Sequence, residues 1–245
     1  MSLARNTVSG WLLALLVSAL FCRLGFWQLD RMHQKQAMLD AVHAVLAQRH
    51  ALPLATAADA RRTRDYDWSA GRGHFVDTPA LLLDNQSRDE HAGVRAYRVF
   101  QPAASGASPL LVELGWLPLP GDRTLPAVPR PVGVVEVAGL LAPPPSAGLA
   151  RGVAVPQANG TLLAVALDLP TLRERLRQPA LAARVLKLDP ALPLGYARDL
   201  DILPNTLPPQ RHLGYAVQWF GLALAVLVTA LVVTFHKFRS RPKPP

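Results

Sequence analysis

The sequence predicts a membrane protein in which two transmembrane α-helices flank a mainly β (α+β) domain, folded as an antiparallel sheet or barrel. One apolar run lies near each end of the chain, and each is about as long as a bilayer core of roughly 30 Å requires. Between them, short runs rich in valine, leucine and aromatic residues alternate with turn-forming residues. That alternation is typical of a compact β domain.

The first apolar run predicts a transmembrane helix over residues 7–27. It carries no acidic residue, and its Arg23 has a side chain long enough to reach the lipid headgroups, so that the span continues to Trp27. A cleaved signal peptide is the alternative, with a small-residue cleavage site at residues 17–19. Because the apolar run continues beyond that site, we expect the segment to be retained as a span.

An amphipathic helical extension is predicted over residues 28–50. Its apolar residues recur at the spacing of one helix face, with charged residues between them. These apolar residues are Leu29, Met32, Leu39, Val42 and Leu46. The histidines nearby lack the i, i+4 pairing of a helical metal site, so surface histidines are the simpler interpretation. They are His33, His43 and His50.

Residues 51–209 predict the β-rich domain. The runs that predict strands are GHFVD, ALLLDNQ, VRAYRVFQP, PLLVELGWLPL and VGVVEVAGLL. TLLAVALDL, residues 161–169, predicts a further strand, and the PTLRERLRQ that follows it, residues 170–178, predicts a short helix with proline at its first position. Residues 51–64 predict a surface connector, and Pro143–Pro145 with the residues after them predict a loop.

The second apolar run predicts a transmembrane helix over residues 212–235, followed by a basic tail over residues 236–245. The four lysines and arginines of the tail indicate that it is cytoplasmic. With two spans, both termini are then cytoplasmic and the central domain is periplasmic. No presequence rich in arginine and serine precedes the first span, so we expect a multi-pass protein of the bacterial cell inner membrane.

The charge distribution argues against a nucleic-acid partner. The formal net charge is +9, but seven basic residues lie beside the apolar runs, and residues 28–209 hold 19 lysines and arginines against 17 acidic residues. The seven are Arg5, Arg23, Arg211, Lys237, Arg239, Arg241 and Lys243. The single cysteine excludes an internal disulfide. No Ser/His/Asp order, phosphate-binding glycine loop or HExxH motif occurs, so we expect a binding or scaffolding protein and not an enzyme.

Both spans carry small residues four positions apart, which lets helices approach closely in lipid. In the first span these are Gly10, Ala14, Ser18 and Cys22, and in the second Gly221, Ala225 and Thr229. Small residues are also common in any membrane helix. We expect the spans to pack on each other or on a partner.

One face of the second span combines a histidine with two aromatic residues. His212, Tyr215 and Trp219 are spaced i, i+3 and i+7 and therefore share a helix face. Such a face suits an anchor at the lipid headgroups. It also suits a ligand site, and the residues alone leave both interpretations open.

Three stretches resemble motifs of one known family. LGFWQLDRMHQK (residues 24–35) resembles its exit from the first span, LLVELGWLPLP (residues 110–120) is similar to its central strand, and HLGYAVQWFGLALA (residues 212–225) resembles its second span. In this order they resemble the Surfeit locus protein 1 family, the assembly factors of heme–copper cytochrome c oxidase. Leu114 departs from the arginine usual at its position, and Gln210 and Arg211 depart from asparagines.

The resemblance implies a transient heme a site on the second span. His212 matches the position of the iron ligand, and neutral imidazole is a normal axial ligand of heme. Arg211 would then pair with a propionate, and Tyr215 and Trp219 would flank the ring. As a second axial ligand, the candidates are His74, His91 and His236.

The resemblance also implies partners. These are the oxidase catalytic subunit and the heme a synthesis machinery, for which we expect contacts through Trp27, Gln28, Gly115 and Trp116. Two alternatives remain open. One is a cofactor-free scaffold or chaperone that stabilises an oxidase subunit intermediate, and the other is a membrane-anchored periplasmic sensor unrelated to respiration.

Overall fold

The computed structural model describes residues 2–145, 153–203 and 206–239, and the side chains from residue 7 onward. The continuation of the predicted loop beyond Pro145 and the last part of the predicted basic tail lie outside the described residues. The chain divides into two units. One contains the first 38 residues together with the segment from Leu207 onward, and the other is Leu39–Thr206.

Each end of the chain forms one long helix. Helix α1 is Ser2–Gln48, a stretch without proline, and it continues unbroken through the predicted first span and its amphipathic extension. Helix α3 is Pro209–Arg239 and begins with proline, which suits the first helical position. Both are long and apolar enough to cross a membrane. Most of their apolar side chains are exposed, which indicates membrane anchoring because water would disfavour such surfaces.

Small residues form the contact between these two helices. Ala14 and Ser18 of α1 are buried, and the Ser18 hydroxyl donates to the carbonyl oxygen of Ala223 at 3.2 Å. A Cβ atom on Gly25 would lie 2.7 Å from Cζ of Phe220. Of the small residues predicted on the first span, Ala14 and Ser18 are therefore buried, with Ser18 against α3, whereas Gly10 is exposed.

On α3, the small residues that pack are not the predicted ones. Ala216 and Ala223 are buried, whereas the predicted Gly221, Ala225 and Thr229 are exposed. The prediction failed because two small-residue faces run along α3, and four-residue spacing alone does not show which one contacts α1.

The second unit contains a closed five-stranded barrel. Its strands are β2 (Asp67–Phe75), β4 (His91–Pro102), β5 (Leu110–Pro118), β6 (Val135–Ala142) and β9 (Val185–Leu188). They pair in the order β2, β6, β9, β5, β4, and β4 pairs back with β2 over three residues to close the ring. A barrel has no free edges in its closed part, which limits pairing with other chains.

A short extension continues the sheet beyond the barrel. Strands β3 (Leu81–Arg88), β8 (Leu162–Ala164) and β7 (Ala154–Pro156) follow β4 in that order, and β1 (Leu52–Pro53) borders β2. The pairs β1 with β2, β3 with β8 and β5 with β9 are parallel. The domain is therefore a mixed sheet, which corrects the purely antiparallel prediction.

Three apolar clusters stabilise the domain. Alternate residues of the barrel strands fill the interior, for example Leu110, Val112 and Leu114 of β5. The opposite face of β3, β4 and β5 packs on helix α2 (Leu169–Arg175). The third cluster joins Val42 near the end of α1 to Leu140 of β6.

Several local predictions need correction. The predicted connector over residues 51–64 includes β1, and its Leu54 and Ala57 are buried in the barrel core. The strand predicted over residues 161–169 ends at Ala164, because the Asp168 carboxylate caps α2 by accepting from the Thr171 amide at 3.1 Å.

Candidate functional site

His212 is buried at the start of α3, and only one of its two ring nitrogens has a hydrogen-bond partner among the described residues. Its side chain is 7% exposed, and its Nδ1 lies 2.7 Å from the side-chain oxygen of Gln28 on α1. That oxygen only accepts hydrogen bonds, so Nδ1 carries the proton and Nε2 presents a lone pair. Nε2 is buried and has no hydrogen-bond partner among the described residues. A buried unpaired polar atom costs about 1–3 kcal/mol, so this nitrogen is a candidate ligand atom.

The partners of His212 come from one face of α1. Gln28, Arg31 and Lys35 are spaced i, i+3 and i+7 and share that face. Lys35 is buried, and its ammonium group donates to the carbonyl oxygen of Leu207, just before α3. The charges of Lys35 and Arg31 act on His212. No carboxylate of the described residues pairs with Lys35, so this region carries an uncompensated positive charge.

The other residues predicted to bind heme lie around His212 with different exposures. Arg211 is exposed, and its side chain makes no hydrogen bond or ion pair with the described residues. Tyr215 is 38% exposed. Trp219 is half-buried and contacts the ring of Phe21, with ring centroids 5.5 Å apart. The structure therefore brings His212 and Trp219 against α1, and leaves Arg211 and Tyr215 at the surface of the helix pair.

The candidate second ligands are distributed over both units. His74 and His91 are exposed on β2 and β4 of the barrel domain. His236 is on the same helix as His212, but 24 residues along an α-helix correspond to about 36 Å. His236 therefore cannot bind the same iron as His212. No group of three or more histidine, cysteine or acidic side chains that could hold a metal ion occurs among the residues searched, those with a described structure.

The residues predicted to bind partners have different surroundings. Trp27 is 53% exposed, whereas Gln28 is occupied with His212. Gly115 has a φ of +125°, and a Cβ atom there would lie 2.8 Å from backbone oxygens of residues 196 and 197. Trp116 covers the backbone of Gly93, where a Cβ atom would come within 2.4 Å of the indole. Gly115 and Trp116 thus shape β5 locally.

A buried charge cluster lies on the outer face of the barrel. Arg95 and Lys187 both pair with Glu113, at 2.5 Å and 3.0 Å, and Tyr97 donates to it at 3.1 Å. Burial would raise the pKa of Glu113, but Lys187 and Arg95 outweigh burial and lower it. Burial and the neighbouring Glu113 raise the pKa of Tyr97 well above its usual value. The charges of this cluster are paired with one another, so Glu113 acts here as the centre of a structural ion-pair network.

An open cleft of about 590 Å³ lies in the same domain and is lined by Arg98 and Arg130. Burial and the charge of Arg130 lower the pKa of Arg98. The guanidinium of Arg98 donates to the carbonyl oxygens of Thr78, at 3.0 Å, and of Val128. Arg98 therefore holds two loops together, and His212 remains the stronger candidate for a ligand site.

Sequence reasoning singled out His212 but missed its surroundings. Arg31 and Lys35 belong to the stretch of residues 24–35 that resembles the family's exit from the first span, but no role was predicted for them, and Gln28 was predicted to bind partners. The signal that was available is the shared face of Gln28, Arg31 and Lys35 directly after an apolar span. Nothing in the sequence showed that this face meets a residue 184 positions away.

The comparison with known protein families gives one match. The model of the SURF1 family matches residues 15–224, which includes the described parts of both helices around the site and the barrel domain between them. A search of curated proteins finds no match.

Proposed function

The chain belongs to the SURF1 family, which is associated with cytochrome c oxidase assembly, and from this premise we propose that it binds heme a through His212 and presents it to the oxidase catalytic subunit. The observation that carries the proposal is the buried imidazole of His212, which is held at Nδ1 and has no partner at Nε2 in the described part of the chain. Since the family consists of assembly factors, we propose a carrier and not an enzyme.

The donor set around His212 fits a heme. Histidines that bind metals commonly donate their other ring N–H to an oxygen acceptor, and the Gln28 oxygen occupies that role here. Nε2 of His212 would hold the iron of a bound heme through its lone pair, and the heme would supply that iron. Because Nε2 is buried, a macrocycle reaches it only after the side chains that cover it move.

The positive charge beside His212 suits the carboxylates of a heme. Lys35 is buried without an acidic partner among the residues whose structure is described, and Arg31 lies on the same face. We propose these two cations, together with the exposed Arg211, as partners of the propionates. Tyr215 and Trp219 are proposed to flank the macrocycle, since they share the His212 face.

We further propose that the protein lies in the bacterial cell inner membrane with both termini cytoplasmic and the barrel domain periplasmic. Two membrane-crossing helices and a basic tail support this orientation. The proposed partners are the oxidase catalytic subunit and the heme a synthesis machinery. The residues proposed to contact these partners are Trp27, which is exposed on α1, and Gly115 and Trp116 on β5. Gln28 is proposed to contribute to partner binding through its hydrogen bond with His212.

A cofactor-free scaffold is the second candidate function. Its support is the apolar surface of α1 and α3, most of which stays exposed when the two helices contact each other. This exposed surface could pack on an oxidase subunit. Membership of an assembly-factor family argues against a periplasmic sensor unrelated to respiration.

The deciding experiment compares a deletion strain with the same strain carrying wild type, His212→Ala or His33→Ala. His33 is an exposed histidine of α1 and serves as the matched control. We expect the heme a absorption of reduced-minus-oxidised membranes, and oxidase activity, to return with wild type and His33→Ala but not with His212→Ala. Full restoration by His212→Ala would reject heme ligation and leave the scaffold. An unchanged deletion strain would reject both functions.

A further inference from the structure

We infer that Gln28 is the positioning residue for His212, fixing both the tautomer and the orientation of the imidazole so that Nε2 is the iron ligand. This inference rests on the proposed function and assigns to a residue of the first helix a role in heme binding by the second. The two side chains are 184 residues apart in the chain and 2.7 Å apart in space.

The tautomer follows from the chemistry of the neighbours. A buried imidazole protonated at Nδ1 needs a hydrogen-bond acceptor beside Nδ1. A buried imidazole protonated at Nε2 needs a hydrogen-bond acceptor beside Nε2. The other polar groups whose charges act on the ring are Lys35 and Arg31, and both side chains only donate. The oxygen of Gln28 is therefore the acceptor that favours a proton on Nδ1 and a free lone pair on Nε2.

The orientation follows from the packing. His212 is 7% exposed and lies one helical turn before Ala216, which is also buried. Gln28 is half-buried on α1, one turn from Gly25, whose missing side chain lets the Phe220 ring approach within 2.7 Å of the Cβ position. Close approach of the helices at Gly25 thus brings the short amide of Gln28 within reach of the ring.

The hydrogen bond also strengthens the ligand. An acceptor at Nδ1 leaves more electron density at Nε2, and loss of such a partner commonly weakens metal binding roughly 10- to 100-fold. Gln28→Leu removes the acceptor at similar volume, and Gln28→Glu keeps it and makes it stronger. Gln34→Leu is the matched control, because Gln34 is an exposed glutamine of the same helix whose side-chain oxygen accepts from Arg31 and not from His212.

The first measurement uses hemin as the probe and the purified full-length protein in detergent. We expect Gln28→Leu to bind hemin roughly 10- to 100-fold more weakly than wild type and to raise the midpoint potential of the bound iron. Gln28→Glu should restore binding and lower the potential, and Gln34→Leu should match wild type. A Gln28→Leu protein with wild-type affinity and potential overturns the inference, even if His212→Ala abolishes binding.

The second measurement requires no heme and separates this inference from the proposed function. In ¹⁵N-histidine-labelled protein, with His212→Ala used to assign the resonance, we expect the His212 ring to be protonated at Nδ1. Gln28→Leu should shift the ring toward the Nε2-protonated form, and Gln34→Leu should not. An unchanged tautomer in Gln28→Leu rejects the positioning role. If the tautomer shifts but wild type binds no hemin, the proposed function fails while Gln28 still positions His212.

Discussion

Arg184, which is fully buried just before β9, donates to the carboxylate of Asp67 at the start of β2 over 2.6 Å. The same guanidinium donates to the carbonyl oxygen of Thr56 at 2.6 Å. Arg62 pairs with the other carboxylate oxygen of Asp67 at 2.5 Å. These contacts fasten the segment that precedes the barrel to its first and last strands, and they explain why a segment rich in alanine and arginine is ordered.

We expect Arg184→Met to destabilise the barrel domain by about 3–5 kcal/mol, because it leaves the buried Asp67 with only the half-exposed Arg62. Urea unfolding of the full-length protein in detergent, followed by tryptophan fluorescence, measures this loss. Arg64→Met is the control, since Arg64 is exposed, and it should change stability by less than about 0.5 kcal/mol. Equal stability of the two variants would contradict the role of Arg184.

Glu113 should make the stability of the domain depend on pH. Its pKa in the folded state is lowered by Lys187 and Arg95 despite burial. Its carboxylate therefore stabilises the fold above the unfolded pKa of about 4.5, and this stabilisation is lost as the pH falls through the folded pKa.

The matching variant is Glu113→Gln, which leaves the buried Lys187 without its anion and leaves Arg95 with only Asp199, at 4.0 Å. We expect a loss of about 3 kcal/mol or more at pH 7, and a difference from wild type that narrows as the pH falls below about 4.5. Melting temperatures measured between pH 3 and pH 8 test this. A difference independent of pH would show that the pKa of Glu113 is the same in the folded and unfolded protein, and would contradict the lowered pKa.

Strand β6 approaches β9 so closely that Gly139 cannot be replaced. A Cβ atom at this position would lie 1.9 Å from the carbonyl oxygen of Lys187, and backbone cannot retreat as a flexible side chain does. We expect Gly139→Ala to cost about 3 kcal/mol or more. Gly121→Ala, with no atom within 4 Å of the added Cβ, should be neutral by the same unfolding measurement.

The contact between α1 and α3 can be tested at Gly25. A side chain there would collide with the Phe220 ring, so Gly25→Leu should separate the helices and Phe220→Ala should partly restore their contact. Disulfide formation between cysteines placed at Ser18 and Ala223, in a Cys22→Ser background, reports the contact in membranes. We expect a several-fold lower yield for Gly25→Leu and no change for Gly10→Leu, where nothing lies within 4 Å.

Lys35 and Arg211 are two candidate partners of a heme carboxylate, and substituting them should have different effects. Lys35 is buried and Arg211 is exposed, and solvent screens exposed charges more strongly. We therefore expect Lys35→Gln to lower the preference for hemin over hemin dimethyl ester by about tenfold, and Arg211→Gln to lower it much less. A larger effect of Arg211→Gln would move the carboxylate site to the outer surface of α3.

The sequence predicted those features that depend on local pattern. The spans follow from long apolar runs, of which the first contains only Arg23 as a charged residue, and β3 to β6 follow from valine- and leucine-rich runs bounded by turns. β9 was missed because its four residues, VLKL, are too short to stand out. Its parallel pairing with β5 and the closure of β4 onto β2 depend on contacts between distant residues, for which a single sequence contains no signal.

The same distinction applies to the candidate site, of which only the part that depends on local sequence was predicted. His212 was found because a histidine at the start of an apolar helix is unusual and because its surroundings resemble a known family. The contact with Gln28 and the buried Lys35 depend on how two helices from opposite ends of the chain pack, and small residues on two faces of α3 left that packing undecided.

The position of β9 has a consequence for the order of folding. β9 is the last barrel strand in the chain, yet it lies between β5 and β6 in the ring, so the ring stays open until Leu188 has been synthesised. By then the whole first helix has long left the ribosome, and only 20 residues remain before α3 begins at Pro209. Because β9 is synthesised after the other barrel strands, we expect the barrel to close slowly. Until it closes, local hairpins such as β4 with β5 hold the earlier strands together. His212 therefore arrives only after the chain has everything that the barrel needs to close.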